Sequence, residues 1–120
     1  MRTTKIELNG TTYSLCLSTR VMMSLEDRAG SFSDFMGNLG RIDNKIFLLS
    51  ELLRAGYLTD KAAGLNPPEP PDQEALLDST SFDDYEAINQ AISAAITAGT
   101  KRKVEARAKS KKDGAATQGE

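Results

Sequence analysis

Lys5-Ile-Glu-Leu-Asn-Gly-Thr-Thr-Tyr-Ser-Leu-Cys-Leu17 is the stretch whose reading decides the fold. Asn9-Gly10 separates two alternating apolar and polar runs, the strongest short-range signal for a β-hairpin closed by a type I′ turn. With Asn9 and Gly10 as the two loop residues, Leu8 lies opposite Thr11, Ile6 opposite Tyr13 and Thr4 opposite Leu15. Every large apolar side chain except Cys16 then falls on one face, and Lys5, Glu7, Thr12 and Ser14 fall on the other. A two-stranded ribbon is marginal in water, so the residues that follow must cover its apolar face.

Working outward, Ser18 is placed to cap a helix running to about Ala29, with Gly30 as its stop. Val21, Met22, Leu25 and Ala29 form its apolar stripe, the natural first cover for Ile6, Tyr13 and Leu15, and Met23 lies off that stripe. Ser33 is expected to cap a short helix through about Leu39, with Phe32 before the cap and Phe35 and Met36 inside it. A longer helix begins around Asp43 and Asn44 and reaches toward Ala63. Its apolar arc of Ile46, Leu48, Leu49, Leu52, Leu53, Gly56 and Tyr57 covers more than half the circumference, the mark of a central helix. Gly56 within that arc costs roughly 1 kcal/mol against Ala, so it permits a close contact or marks a bend.

The four prolines of Leu65-Asn-Pro-Pro-Glu-Pro-Pro71 exclude helix and central strand and make a stiff connector. Gln73 to Leu77 reads as one or two helical turns. Ser81-Phe-Asp-Asp84 opens the next helix with a capping pattern in which Asp replaces the usual Glu. Tyr85, Ile88, Ile92, Ala95 and Ile96 line one face of that helix, which is expected to end near Gly99. The fold class is therefore α+β: an N-terminal hairpin followed by four to five helices within residues 1–100, then a basic tail over 101–120, expected to be disordered.

Composition excludes much chemistry. The chain has no histidine and one cysteine, which removes imidazole acid/base work, Ser/His and Cys/His nucleophilic pairs and every Cys/His zinc pattern. Cys16 reads as a small strand residue, and no intramolecular disulfide can form. There is no Gly-rich phosphate cradle, and the adjacent carboxylates Glu26/Asp27 and Asp83/Asp84 point about 100° apart on a helix, so neither pair can flank one substrate. The expectation is a non-enzymatic protein with no metal and no cofactor. Without a long apolar run or a signal-like N-terminus, no membrane association is expected and the cell interior is the expected compartment.

The charge is segregated. Residues 1–100 carry 8 Lys/Arg against 14 Asp/Glu, a net of −6, and residues 101–120 carry 7 against 3, a net of +4. The basic residues, including Lys101, Arg102 and Lys103, could contact phosphates in a salt-sensitive way. No aromatic residue is interleaved to stack on bases, so specific nucleic-acid recognition is not expected.

In order, the Asn-Gly hairpin, the immediate helix, the Leu-rich helix ending in Arg54-Ala-Gly-Tyr-Leu58, the proline break, Glu74-Ala-Leu-Leu-Asp78 and Phe82-Asp-Asp-Tyr-Glu-Ala-Ile-Asn-Gln-Ala-Ile92 resemble the tail assembly chaperones of long-tailed bacteriophages. The resemblance covers about residues 5–98. It implies a small α+β protein, without an active site, that acts in the host cytoplasm and is absent from the mature virion. Such a protein coats the helical tape measure protein, assists polymerisation of the tail tube protein and self-associates. The family also often yields a longer, frameshifted product. The long basic tail and the Ser79-Thr-Ser81 link depart from the usual pattern.

A chaperone for an amphipathic helix needs apolar grooves. The candidate partner-binding residues are Phe32, Phe35 and Met36 in one patch, Tyr85, Ile88, Ile92 and Ile96 in a second, and Lys101, Arg102 and Lys103 in the tail. The alternative reading is a small nucleic-acid-associated adaptor acting through that tail.

Overall fold

A computed structural model describes the backbone of residues 3–114 and the side chains of residues 3–100. The chain runs β1 (Thr4–Leu8), β2 (Thr11–Leu15), α1 (Thr19–Ala29), α2 (Phe32–Gly37), α3 (Ile42–Ala62), α4 (Gln73–Ser79), a single 3-10 turn (Phe82–Asp84) and α5 (Tyr85–Gly114). β1 and β2 pair antiparallel in the expected register, with Ile6 opposite Tyr13 and Leu8 opposite Thr11. Positive φ at both Asn9 (50°) and Gly10 (83°) is what a type I′ turn demands.

The expectation that α1 covers the hairpin is corrected. α3 lies on β2 and α5 on β1, and α1 packs instead on α2 and α3. The reason is a backbone notch. Cys16 N–H donates to the Leu52 carbonyl at 3.1 Å, which draws the end of β2 onto the helix. Gly56, one turn on, lies against the Ser14 carbonyl, and a Cβ there would stand only 2.7 Å from Leu15 N. Of the two roles open to Gly56, close contact is the one observed.

Ser14 belongs to the face read as solvated, yet it is buried. Its hydroxyl donates to Asp60 Oδ2 at 2.5 Å and accepts from Lys5 Nζ at 2.7 Å. Asp60 therefore takes a buried place on α3, while Tyr57, assigned to the apolar arc, is only half-buried. A buried carboxylate requires such partners. The remainder of the α3 arc, from Ile46 to Leu53, is core as expected.

Helix ends follow local chemistry, with shifts. Ser18 caps α1, accepting from Val21 N–H, and Gly30 N–H returns to the Glu26 carbonyl. α2 is capped by Ser31 rather than Ser33: Ser31 Oγ accepts from Asp34 N–H at 3.0 Å, so Phe32 opens the helix and Leu39 lies in the turn beyond it. α4 extends to Ser79, capped by Asp72 Oδ1 accepting from Ala75 N–H at 2.9 Å. Ser81 N–H donates to Asp84 Oδ2 at 2.8 Å, the back-reach expected of Asp in place of Glu.

α5 does not end near Gly99. It passes through because Gly99 faces a neighbour: a Cβ there would meet Leu17 Cβ at 2.9 Å. The disorder expected from residue 101 falls on side chains, and from 115 on backbone, outside the described residues. Among the described residues no helix is long and apolar enough to cross a membrane.

Candidate functional site: an apolar groove between α2 and α5

The groove begins with how α2 stops. Asn38 Nδ2 donates back to the Asp34 carbonyl at 3.0 Å, and the Asn38 carbonyl accepts from Asn44 Nδ2 at 2.9 Å. Arg28 Nε in turn donates to Asn44 Oδ1 at 2.8 Å, with its guanidinium over the Phe47 ring. These bonds pin the turn between α2 and α3 and hold Met36 and Leu39 at the surface. Across from them, α5 presents Asn89, Ile92, Ser93, Ile96 and Thr97, and the two walls enclose a groove of about 310 Å³.

The lining is uncharged. Met36, Leu39, Ile92 and Ile96 form the floor, and Asn89, Ser93 and Thr97, spaced four apart, form a polar rim along α5. Such a cleft suits one or two apolar anchors of a helix, with amide and hydroxyl groups left to bond its polar edge. Methionine in the floor lets it adapt to anchors of different shape.

No family model, no curated protein and no solved structure matches this chain. The geometry of the groove is thus read on its own chemistry.

Met36, Ile92 and Ile96, taken from two separate sequence patches, meet in this one groove. Phe32 and Tyr85 are half-buried and pack against the core. Phe35 and Ile88 are corrections: both are fully buried, because Phe35 packs on Phe47 (ring centroids 6.2 Å apart) and Ile88 falls on the inward face of α5. Ile92 is itself 3% exposed and forms the groove's base rather than its lip. The side chains of Lys101, Arg102 and Lys103 lie outside the described residues.

Sequence reasoning missed Leu39, Asn89, Ser93 and Thr97. The repeat at 89, 93 and 97 was a legible signal for a polar edge beside Ile92 and Ile96. It also passed over Phe82, which is 84% exposed and meets Tyr85 edge-on with ring centroids 5.9 Å apart. A second open depression near the start of α3 sets exposed Ile42 and Leu77 beside Arg41 and Asp43. There Arg41 Nε donates to Asp43 Oδ1 at 3.1 Å, and this bond holds the Asp43 carboxyl below its ordinary value. Among the described residues no group of three or more Cys, Asp or Glu side chains is placed to hold a metal ion.

Proposed function

We propose that this chain is a non-enzymatic tail assembly chaperone of a long-tailed bacteriophage, binding helical segments of the tape measure protein and assisting tail tube polymerisation in the host cytoplasm. The observation that carries the reading is the uncharged groove in which Met36, Leu39, Ile92 and Ile96 meet. A tape measure protein is a long helix, and an amphipathic helix is recognised by laying its apolar side chains into such a cleft. The ordered set of sequence elements from the hairpin to Ile92 supports the same reading.

Co-expression with overlapping segments of the tape measure protein encoded alongside tests it. The wild-type chain is expected to co-purify with at least one segment, and Ile96→Asp to lose it, since a carboxylate placed in the groove has no partner. Ile96 is half-buried, so the fold tolerates the change, and a helical circular dichroism spectrum equal to wild type is the check. Retention of the segment by Ile96→Asp, or capture of none by the wild type, overturns the reading.

A further inference from the structure

A second cavity, sharing no residue with the α2/α5 groove, lies where the hairpin turn meets α4 and the 3-10 turn. Leu8, Pro71, Ala75 and Leu76 supply apolar walls and Tyr13 an aromatic one. Thr80 and Asp84 stand among its polar lining. Its volume of about 250 Å³ is below the roughly 300–1,000 Å³ of pockets for drug-sized ligands, so it takes one side chain or a molecule of that size.

The bonding of the two polar residues selects the charge of the occupant. Thr80 Oγ1 donates its proton to the Leu76 carbonyl at 2.7 Å, and Asp84 Oδ2 accepts from Ser81 N–H at 2.8 Å. Both residues therefore offer only lone pairs to an incoming group. Asp84 is half-buried, no Lys or Arg occurs from Ala62 to Thr100, and the ion pairs among the described residues involve only Arg28, Arg41 and Asp43. Asp72, Glu74, Asp78 and Asp83, each next in sequence to a lining residue, are all exposed. A cation that enters meets acceptors within the cavity and further carboxylates beside it.

We infer that this cavity is a binding site for an arginine side chain presented by a basic segment of a partner protein. The methylene stem lies along Leu8, Ala75 and Leu76, as long cationic side chains do on apolar walls. The guanidinium, all donors and no acceptor, reaches Thr80 Oγ1 and the Asp84 carboxylate with the Tyr13 ring beside it. An ammonium is a compact point charge, whereas the planar fork spans acceptors on two residues and stacks on an aromatic face. The exposed carboxylates favour an arginine flanked by further cations over a lone small molecule. The inference does not depend on what the α2/α5 groove binds.

NMR titration of the full chain with capped, glycine-flanked peptides carrying arginine, citrulline or lysine tests it. The arginine peptide is expected to shift the amide signals of Asn9, Ala75, Thr80 and Asp84 and to leave those of Ile92 and Ile96 in place. Citrulline, of the same shape without the charge, and lysine should each bind at least about tenfold more weakly. Replacing the flanking glycines with lysines should tighten binding at about 0.05 M salt and not at about 0.5 M, where the exposed carboxylates are screened. Asp84→Asn, which keeps an acceptor for Ser81 N–H, and Ala75→Leu, which fills the cavity from an exposed helix position, should each weaken the arginine peptide at least about tenfold with the circular dichroism spectrum unchanged. No shift at the cavity, equal binding of citrulline or lysine, or indifference to Asp84→Asn or to Ala75→Leu overturns the inference. Agmatine binding more tightly than the lysine-flanked peptide would assign the cavity to a small molecule, and a peptide affinity that falls as protein concentration rises would assign it to the basic tail of a second copy; either result refutes the partner segment. Ile96→Asp should leave the arginine affinity unchanged, so this inference and the chaperone reading fail separately.

Discussion

Gly56→Ala is the most direct probe of how the hairpin is held. In an ordinary helix interior this change stabilises by about 1 kcal/mol. Here the added methyl would meet backbone, the Ser14 carbonyl and Leu15 N, and backbone cannot rotate aside as a side chain can. Displacing β2 to make room costs about 1–3 kcal/mol as overpacking. The shift also lengthens the 3.1 Å bond from Cys16 N–H to the Leu52 carbonyl, worth about 1 kcal/mol, and pulls Ser14 from buried Asp60. Against the propensity gain, the net expectation is a destabilisation of about 2 kcal/mol, or a fall in Tm of about 8 °C or more for a chain of this size. Thermal and urea unfolding followed by circular dichroism measures it. Gly37→Ala is the control: that glycine ends α2, no atom beyond its chain neighbours and its own helix backbone lies within 4 Å of the place a Cβ would take, and its replacement should be neutral or slightly stabilising. If Gly56→Ala proves as stable as wild type or more so, the notch does not hold the hairpin and the reasoning fails.

Other outcomes follow from the same contacts. Ser14→Ala leaves the buried Asp60 carboxylate without its hydroxyl donor and should cost about 2 kcal/mol in urea unfolding, with Asp60→Asn in that background recovering part of the loss. Ile88→Ala, at a fully buried site, should cost about 2–5 kcal/mol, whereas Ile96→Ala, half-buried in the groove floor, should cost visibly less, a ranking that a denaturant series would reveal or reverse. Because the Arg41 hydrogen bond depresses the Asp43 carboxyl, its contribution to stability is complete above the ordinary carboxylate value and is lost as pH falls through the depressed one; NMR titration of Arg41→Ala should show the Asp43 value moving up. Asp84→Ala removes the acceptor of Ser81 N–H and should loosen the start of α5 by about 1 kcal/mol, seen as faster amide exchange at Ser81 and Tyr85.

Where sequence reasoning succeeded, the deciding interactions lie within a few residues of one another. The Asn9-Gly10 turn and the one-face pattern determine the hairpin register, and Ser18, Gly30 and the Ser81/Asp84 pair mark helix ends by bonds that close within one turn. Even the misplaced cap of α2 moved only from Ser33 to Ser31, since both serines precede an apolar turn and only the Asp34 N–H chooses between them. The candidate groove was half-legible. Met36, Ile92 and Ile96 carried an apolar signal, but their separation in sequence hid that they share one cleft.

What only the tertiary structure decided is which helix meets which face. Gly56 and Gly99 look alike in sequence to a helix weak point and a helix stop, and each is a place where another segment presses on the helix. Ser14 reads as solvated because polarity alone cannot announce a partner, Asp60, 46 residues away. Local patterns follow from the short reach of turns, caps and helical periods. The covering of the hairpin by α3 and α5, and the groove beside it, follow from packing between distant segments, where shape complementarity decides and no single stretch of sequence records the answer.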